Sequence, residues 1–313
     1  MSEDIVNITK KRKPLVAVLL SLIMPGLGHV YCGRIVKGII LFFLSSIFIP
    51  VLSGKLSVSQ SSVRITFIIV SLFASLVIWL VSIINSWYTA RHTATAYELK
   101  DYNKWYVYVI LMWIGTGTLN QIKLNIKSTL IDAYRVPTVS NYPTIVPNDR
   151  FLANKLAYKT SDPKKGDLVV FINPEDRRVD HVKRVVANAG DTVEIKDDEL
   201  YINDQKLQRQ KLPQSTLDNI RINNKGKPLE GEVFEEINGT TKYKIFLASS
   251  SYNKKSGDFA KITVPKYHCF VLGDNRNLSW DSRNFGPLPL GTIKGRVDYL
   301  YWPAKDWSRF GNF

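Results

Sequence analysis

Residues 166–195 read GDLVVFINPEDRRVDHVKRVVANAGDTVEI. Short runs rich in Val and Ile (LVVFI, HVKRVV, DTVEI) are separated by the turn clusters NPED and NAGD, which is the signature of strands joined by tight connections. The pattern continues outward through ELYI, YKIFLA, AKITV, HCFVLG and RVDYLYW, with turn signals such as IND and INGT between them. Helical periodicity is scarce over this half. The reading is a mostly antiparallel β domain with long connecting loops, over residues 121–313. Within it, residues 203–265 carry Asn, Lys and Gly clusters and read as an inserted β-ribbon subdomain of lower stability.

The other half has a different composition. Of the 42 Lys/Arg and 27 Asp/Glu in the 313 residues, only 11 and 4 fall in residues 1–120. Four apolar stretches occupy that region: Leu15 to Val30, Ile35 to Leu52, Ile65 to Trp87, and Trp105 to about Leu119. A bilayer crossing needs roughly 20 mostly apolar residues. The third stretch meets this without a charge, and the fourth has the Trp and Tyr content of an interface. The first is short and contains Pro25, Gly26, Gly28 and His29. The fold class expected is therefore a membrane-anchored chain. It has a basic cytoplasmic tail (1–13), an α-helical transmembrane region (14–120) and the β domain (121–313).

Lys and Arg favour the cytoplasmic side of a membrane. If the last three stretches cross and the first re-enters or lies in the interface, nine basic residues fall inside. These are Lys10, Lys11, Arg12, Lys13, Arg34, Lys37, Arg91, Lys100 and Lys104, and only Lys55 and Arg64 fall outside. If all four stretches cross, the bias is lost. Three crossings with the β domain outside is the expectation. The net charge of +15 then reads as contact with an anionic bilayer rather than with nucleic acid. KKRK before an apolar run imitates a cleavable leader, but further spans follow and no small-x-small site ends the run, so it reads as retained. The segment MPGLGHVYCGRIVKG reads as a helical hairpin with its glycines and proline at a tight turn.

Two cysteines, Cys32 and Cys269, exclude a disulfide scaffold, and the four histidines have no metal-ligand spacing, so no metal or cofactor is expected. Cys269 reads as core. Cys32, at a membrane boundary, reads as an inert thiol or a lipidation site. A hydrolase with these means needs an activated hydroxyl, and a desolvated lysine can replace histidine as its base. Lys183 has Val182, Val185 and Val186 around it on an apolar strand, which is suited to lowering its pKa. By itself, such a lysine is most often an ordinary surface residue with a snorkelling stem.

Three segments together go further. YRVPTVSNYPTIVPNDRFLANKLAY (134–158), GDLVVF with DHVKRVVANAGDTVEI, and VLGDNRNLSWDSRNFGPLP (271–289) resemble, in order, spacing and content, the type I signal peptidase (leader peptidase) family. That family's Ser-Met-x-Pro-Thr-Leu box corresponds to Ser140-Asn141-Tyr142-Pro143-Thr144-Ile145. Its lysine box corresponds to His181-Val182-Lys183-Arg184-Val185, closing at Gly190-Asp191. GDNRxxSxDSRxxG is matched at every defined position from Gly273 to Gly286.

The resemblance implies a Ser-Lys dyad membrane serine protease. Ser140 would be the nucleophile and Lys183 the general base. Thr138, where the family often has Ser, and the Ser140 backbone N–H would hold the oxyanion. Ser279 would orient Lys183. Asp274 with Arg184, and Asp281 with Arg283, would brace the site, together with Arg276 and Ser282. Val136, Asn141, Ile145, His181 and Val182 would contact the substrate. Two positions depart from the family: Asn141 stands where Met is usual and Val139 where Gly is usual. His181 shares a strand face with Lys183, so a Ser-His pairing is the competing reading of the base.

The function implied is removal of N-terminal signal peptides from exported preproteins at the outer face of a bacterial cytoplasmic membrane, through an acyl-enzyme. The partners would be preprotein signal peptides, the lipid bilayer and, by proximity, the secretion translocon. Two alternatives belong to other classes: a non-catalytic member that binds signal-peptide-like segments, and a dedicated peptidase for one secretion or pilus substrate. The C-terminal YLYWPAKDWSRFGNF, with Lys305 and Arg309, reads either as strand and core packing or as an interfacial anchor.

Overall fold

The computed structural model describes residues 11–49, 51–52, 64–93, 99–224, 227–249 and 258–313. Most of the basic tail, the outside residue Lys55 and parts of the 203–265 insertion lie outside the described residues. The chain forms two compact units, Met1–Leu130 and Ile131–Phe313.

The first unit is helical. Helix α1 (Pro14–Ile23) starts on a proline, whose fixed φ suits the first helical turn. It stops before Pro25-Gly26, where Gly26 takes φ +86°. The short α2 (Leu27–Tyr31) and then α3 (Ile35–Phe43), extended by a π-helical turn over Leu44–Phe48, follow. The turn is tight: a Cβ on Gly26 would lie 2.0 Å from the Gly38 carbonyl oxygen. The first apolar stretch is thus broken, and ten residues of α1 rise only about 15 Å. Helix α4 (Arg64–His92) and helix α5 (Trp105–Thr129) complete the unit.

Within α4, Val70–His92 is the one helix among the described residues long and apolar enough to cross a membrane. Its mean hydropathy is 1.9 and only 17% of it is buried, unlike the core helix of a globular protein. Helix α5 runs on past the expected apolar stretch through Asn120, Gln121, Lys123 and Lys127, which dilutes its hydropathy.

In the second unit the strands are, in chain order, β1 (Ile131–Arg135), β2 (Arg150–Asn154), β3 (Leu168–Ile172), β4 (Asp180–Asn188), β5 (Thr192–Lys196) and β6 (Glu199–Ile202). Then come β7 (Gln205–Lys206), β8 (Gln208–Lys211), β9 (Asn223–Asn224), β10 (Lys227–Pro228), β11 (Gly231–Asn238) and β12 (Thr241–Ala248). The last are β13 (Phe259–Thr263), β14 (His268–Leu272), β15 (Leu288–Pro289), β16 (Ile293–Trp302) and β17 (Gly311–Asn312). The main sheet has the order β1-β2-β16-β3-β4-β14-β15, with β17 on β16, and its ladders are antiparallel.

Strand β4 is long enough to serve two neighbours. Asp180 to Arg184 pair with β3, setting Lys183 opposite Val169. On the other edge β14 pairs only from Arg184 onward, with Leu272. The edge at 180–183 is therefore left beside the Ser140 loop. Val136, Ile145, Phe151, Ala153, Leu168 and Val170 form one apolar cluster, and Val182 packs against it.

The insertion differs from the ribbon expected over 203–265. Its ends, β7 and β13, join β5 and β6 in a four-stranded sheet, while β8, β11 and β12 make a separate three-stranded one. Nor is it a peripheral excursion. Its polar residues alternate with Val233, Tyr243 and Ile245, which are buried. Val233 and Phe246 pack with Tyr142 and Val146, directly after the Ser140 turn. The parallel bridge between Phe246 and Asn275 ties the insertion to the GDNR segment (273–276).

Candidate active site

Ser140 lies on the loop between β1 and β2, half-buried, in a turn where Tyr142 N–H donates to the Val139 carbonyl and Ile145 N–H to that of Asn141. Asn275 holds this loop twice: its backbone N–H donates to the Ser140 carbonyl at 3.1 Å, and its side-chain amide to the Val139 carbonyl at 3.1 Å. Gly273 lets the two segments touch, since a Cβ there would lie 2.4 Å from the Ser140 carbonyl oxygen.

Lys183 reaches the same point from β4, with its Nζ 2.8 Å from Ser140 Oγ. Lys183 is 4% exposed. Burial pushes its amine down from the ordinary 10.5 to about 8, against the opposing pull of the Asp281 and Asp274 carboxylates. At that value a substantial fraction is neutral near physiological pH. The neutral amine accepts the Ser140 hydroxyl proton, whereas the ammonium donates to its oxygen. Thr138 Oγ1 lies 3.2 Å from Ser140 Oγ, on the exposed side.

The surrounding ion pairs fix this geometry. Arg184 donates to both Asp274 oxygens at 2.7 Å and to the Gly166 carbonyl. Asp281 accepts two bonds of 2.8 Å from Arg283 and one from the Gly273 N–H, and Ser282 Oγ accepts from Val271 N–H. Arg276 binds Glu236 on β11 through two bonds, and Arg209 and the Tyr243 hydroxyl share that carboxylate.

Beside the dyad is a cleft of about 370 Å³, lined by Val136, Thr138, Ser140, Asn141, His181, Val182 and Lys183 with Tyr134, Val179, Leu278 and Trp280. Ile145 does not line it. It is fully buried behind the cleft and packs against Phe151 and Val136. The Ser279–Lys183 hydrogen bond implied by the resemblance is not formed: the Lys183 amine is committed to Ser140, and the buried Ser279 hydroxyl faces the Asp281 carboxylate and helps hold its pKa down. His181 lines the cleft with its ring edge-on to Phe171, and burial and the Lys183 charge both lower its pKa.

A family model described as signal peptidase, peptidase S26, matches residues 104–302. The chain belongs to this family. It is 33% identical over 178 residues to signal peptidase I of Bacillus caldolyticus, covering 56% of this chain and 81% of that one. It is 30% identical over 204 residues to signal peptidase I of Aquifex aeolicus (strain VF5), covering 58% and 80%. Identity to thylakoidal processing peptidase 1 (chloroplastic) of Arabidopsis thaliana is 30% over 192 residues, and the chain spans 45% of that longer protein. A solved signal peptidase I from Enterococcus faecalis V583 is 28% identical, corresponding to 44% of this chain and 97% of that one, with a TM-score of 0.26.

Within this S26 member, several groups at the site escape a motif reading. Asn275 sits inside the family motif, yet its clamp on the Ser140 loop is a tertiary contact with no local signal. Glu236 lies in an alternating strand, where a buried carboxylate is indistinguishable from a surface one. Trp280, whose Nε1–H donates to Glu175 at 2.6 Å, occupies an undefined motif position. Cys269 is fully buried in the cluster with Val169 and Phe171, and burial pushes its thiol up to about 12, so it is no nucleophile.

Proposed function

We propose that the chain is a serine endopeptidase that removes signal peptides from exported preproteins. The observation that carries this is the buried Lys183 amine within hydrogen-bond reach of the Ser140 hydroxyl. In the proposed cycle, neutral Lys183 takes the Ser140 proton as Oγ attacks the scissile carbonyl carbon. The Ser140 N–H and the Thr138 hydroxyl donate to the oxyanion. Lys183 then returns its proton to the leaving amine. An ester on Ser140 remains, and Lys183 activates the water that hydrolyses it.

The substrate would lie extended in the cleft, adding a strand along the 180–183 edge of β4 and the segment near Val136. Small side chains before the scissile bond suit a cleft walled by Val136 and Val182. Asn141 in place of Met would weaken the case for catalysis if it wetted the lysine. Lys183 nevertheless stays dry, which favours the enzyme over a non-catalytic binder.

The apolar, largely exposed α4 supports a membrane anchor, and the nine-to-two bias of basic residues supports three crossings with the β unit outside the cytoplasm. The exposed Trp302, Trp307, Phe310 and Phe313 suit an interfacial contact with lipid, although Arg309 is spent on the buried Asp149. Proximity to the secretion translocon follows from the substrate. Incubating the detergent-solubilised full chain with a preprotein tests the activity. A mature band is expected from the wild type and none from Ser140→Ala; its absence from both refutes the reading.

A further inference from the structure

A second cleft, of about 580 Å³, opens on the β unit and shares no lining residue with the one beside the dyad. Its walls come from Thr144, from β12 and from the C-terminal turn around Ser308. Four basic side chains face it, Arg184, Lys242, Lys244 and Arg309, against one acidic side chain, Asp306. Arg184 is spent on Asp274 and Arg309 on Asp149. Asp306 accepts from the Ser308 hydroxyl at 2.7 Å and its N–H at 2.9 Å, and pairs with neither lysine among the described residues. Lys242 and Lys244 are left. Lys242 has one ion pair among the described residues, an open 3.9 Å contact with the half-exposed Glu235, and Lys244 has none. A solvated contact of that length is worth little.

The backbone adds donors of the same kind. Strand β12 is an edge of its three-stranded sheet. The Phe246 N–H turns away from β11, to the Asp274 carbonyl at 2.8 Å. Antiparallel pairing alternates along a strand, so the N–H groups of Lys244 and Lys242 turn outward on that same edge. The hydroxyls of Ser215 and Thr216 also line the cleft. Several uncommitted donors and two cations therefore converge where acceptors are few. Lysine is a point charge suited to phosphate, whereas a carboxylate is best met by the fork of an arginine. The volume exceeds what a bare ion fills, and Ile220, Leu300 and Phe313 give an organic body an apolar wall. We infer that this cleft binds the anionic phosphate of a phosphate ester, with Lys242 and Lys244 on the phosphate. A phospholipid headgroup and a soluble ester share that chemistry. The inference stands apart from the protease reading.

The thermal unfolding midpoint of the detergent-solubilised full chain tests it. The probes are glycerol 3-phosphate and dihexanoylphosphatidylglycerol. The controls are sodium chloride at matched ionic strength and dihexanoylglycerol, which lacks the phosphate. A ligand held only by the folded state raises the midpoint, here by about 3 °C or more at saturation. A rise with glycerol 3-phosphate assigns a soluble ester, and a rise confined to the phosphatidylglycerol assigns a lipid headgroup. The double variant Lys242→Gln/Lys244→Gln is expected to abolish the rise; both positions are exposed, so the core is untouched. Lys159→Gln/Lys164→Gln removes the same charge from exposed positions outside the cleft and is expected to keep it. Loss in both double variants, or in neither, overturns the inference. So does the absence of a saturable rise with either ester beyond the controls, or a larger rise with tetraglutamate, which would assign the edge to an acidic peptide.

Discussion

Arg184 grips Asp274 through two hydrogen bonds of 2.7 Å, both side chains buried, one residue along β4 from Lys183. Successive residues of a strand face opposite ways. Two adjacent cations therefore meet opposite environments. Arg184 has its own carboxylate and the Tyr243 ring at 4.4 Å, and stays charged. Lys183 has a hydroxyl, and gives up its proton readily. Asp274→Ala would leave the Arg184 guanidinium buried without its partner. Loss of one member of such a pair costs about 3–5 kcal/mol. Denaturant unfolding of the variant should show a loss of that size; unchanged stability would contradict the bracing role.

Lys183 itself should weaken the fold. Its amine titrates near 8 in the folded protein and at the ordinary 10.5 when exposed. Between these values the unfolded chain carries the extra proton, so stability rises with pH. Below about 8 the penalty of burying the charge is complete, on the order of 3 kcal/mol from the shift. Lys183→Met is expected to be more stable than the wild type at pH 7, by on the order of 2–3 kcal/mol. The gain should shrink as pH rises from 8 towards 10. A constant gain across that range in thermal or denaturant unfolding would argue that the buried charge is not its source.

Thr138 supplies a hydroxyl that the family usually draws from serine. Thr138→Val keeps the shape and removes the donor, and is expected to lower kcat by about 10²–10³ with little change in KM. Thr138→Ser should retain most activity. Equal loss in both variants would point to packing, not to oxyanion stabilisation.

The approach of Lys183 to Ser140 and the ion pairs Arg184–Asp274 and Arg283–Asp281 are legible in the sequence because these residues lie in contiguous motifs. The β strands around 166–195 were readable because β-branched runs between turn clusters admit few other conformations. What escaped the sequence depends on contacts between distant segments. Glu236 reaches Arg276 from a strand 40 residues earlier in the chain. Phe246 bonds the Asp274 and Arg276 backbones from an insertion whose Asn, Lys and Gly clusters read as a ribbon of lower stability. The resemblance implies a substrate contact for Ile145, but the turn rotates it into the core. The polar end of α5 continued as helix through Thr129, because helix formation tolerates Asn, Gln and Lys that a hydropathy reading rejects.

The central claim is that Lys183, neutral and dry, takes the proton of Ser140. The pH dependence of kcat/KM for a signal-peptide substrate reports the pKa of the essential base in the free enzyme. An ascending limb centred near pH 8 is expected, with Ser140→Ala, Lys183→Ala and Lys183→Arg all inactive, since guanidinium stays charged. An ascending limb below pH 6.5 that disappears in a His181 variant, or near-normal cleavage by Lys183→Ala, would contradict it.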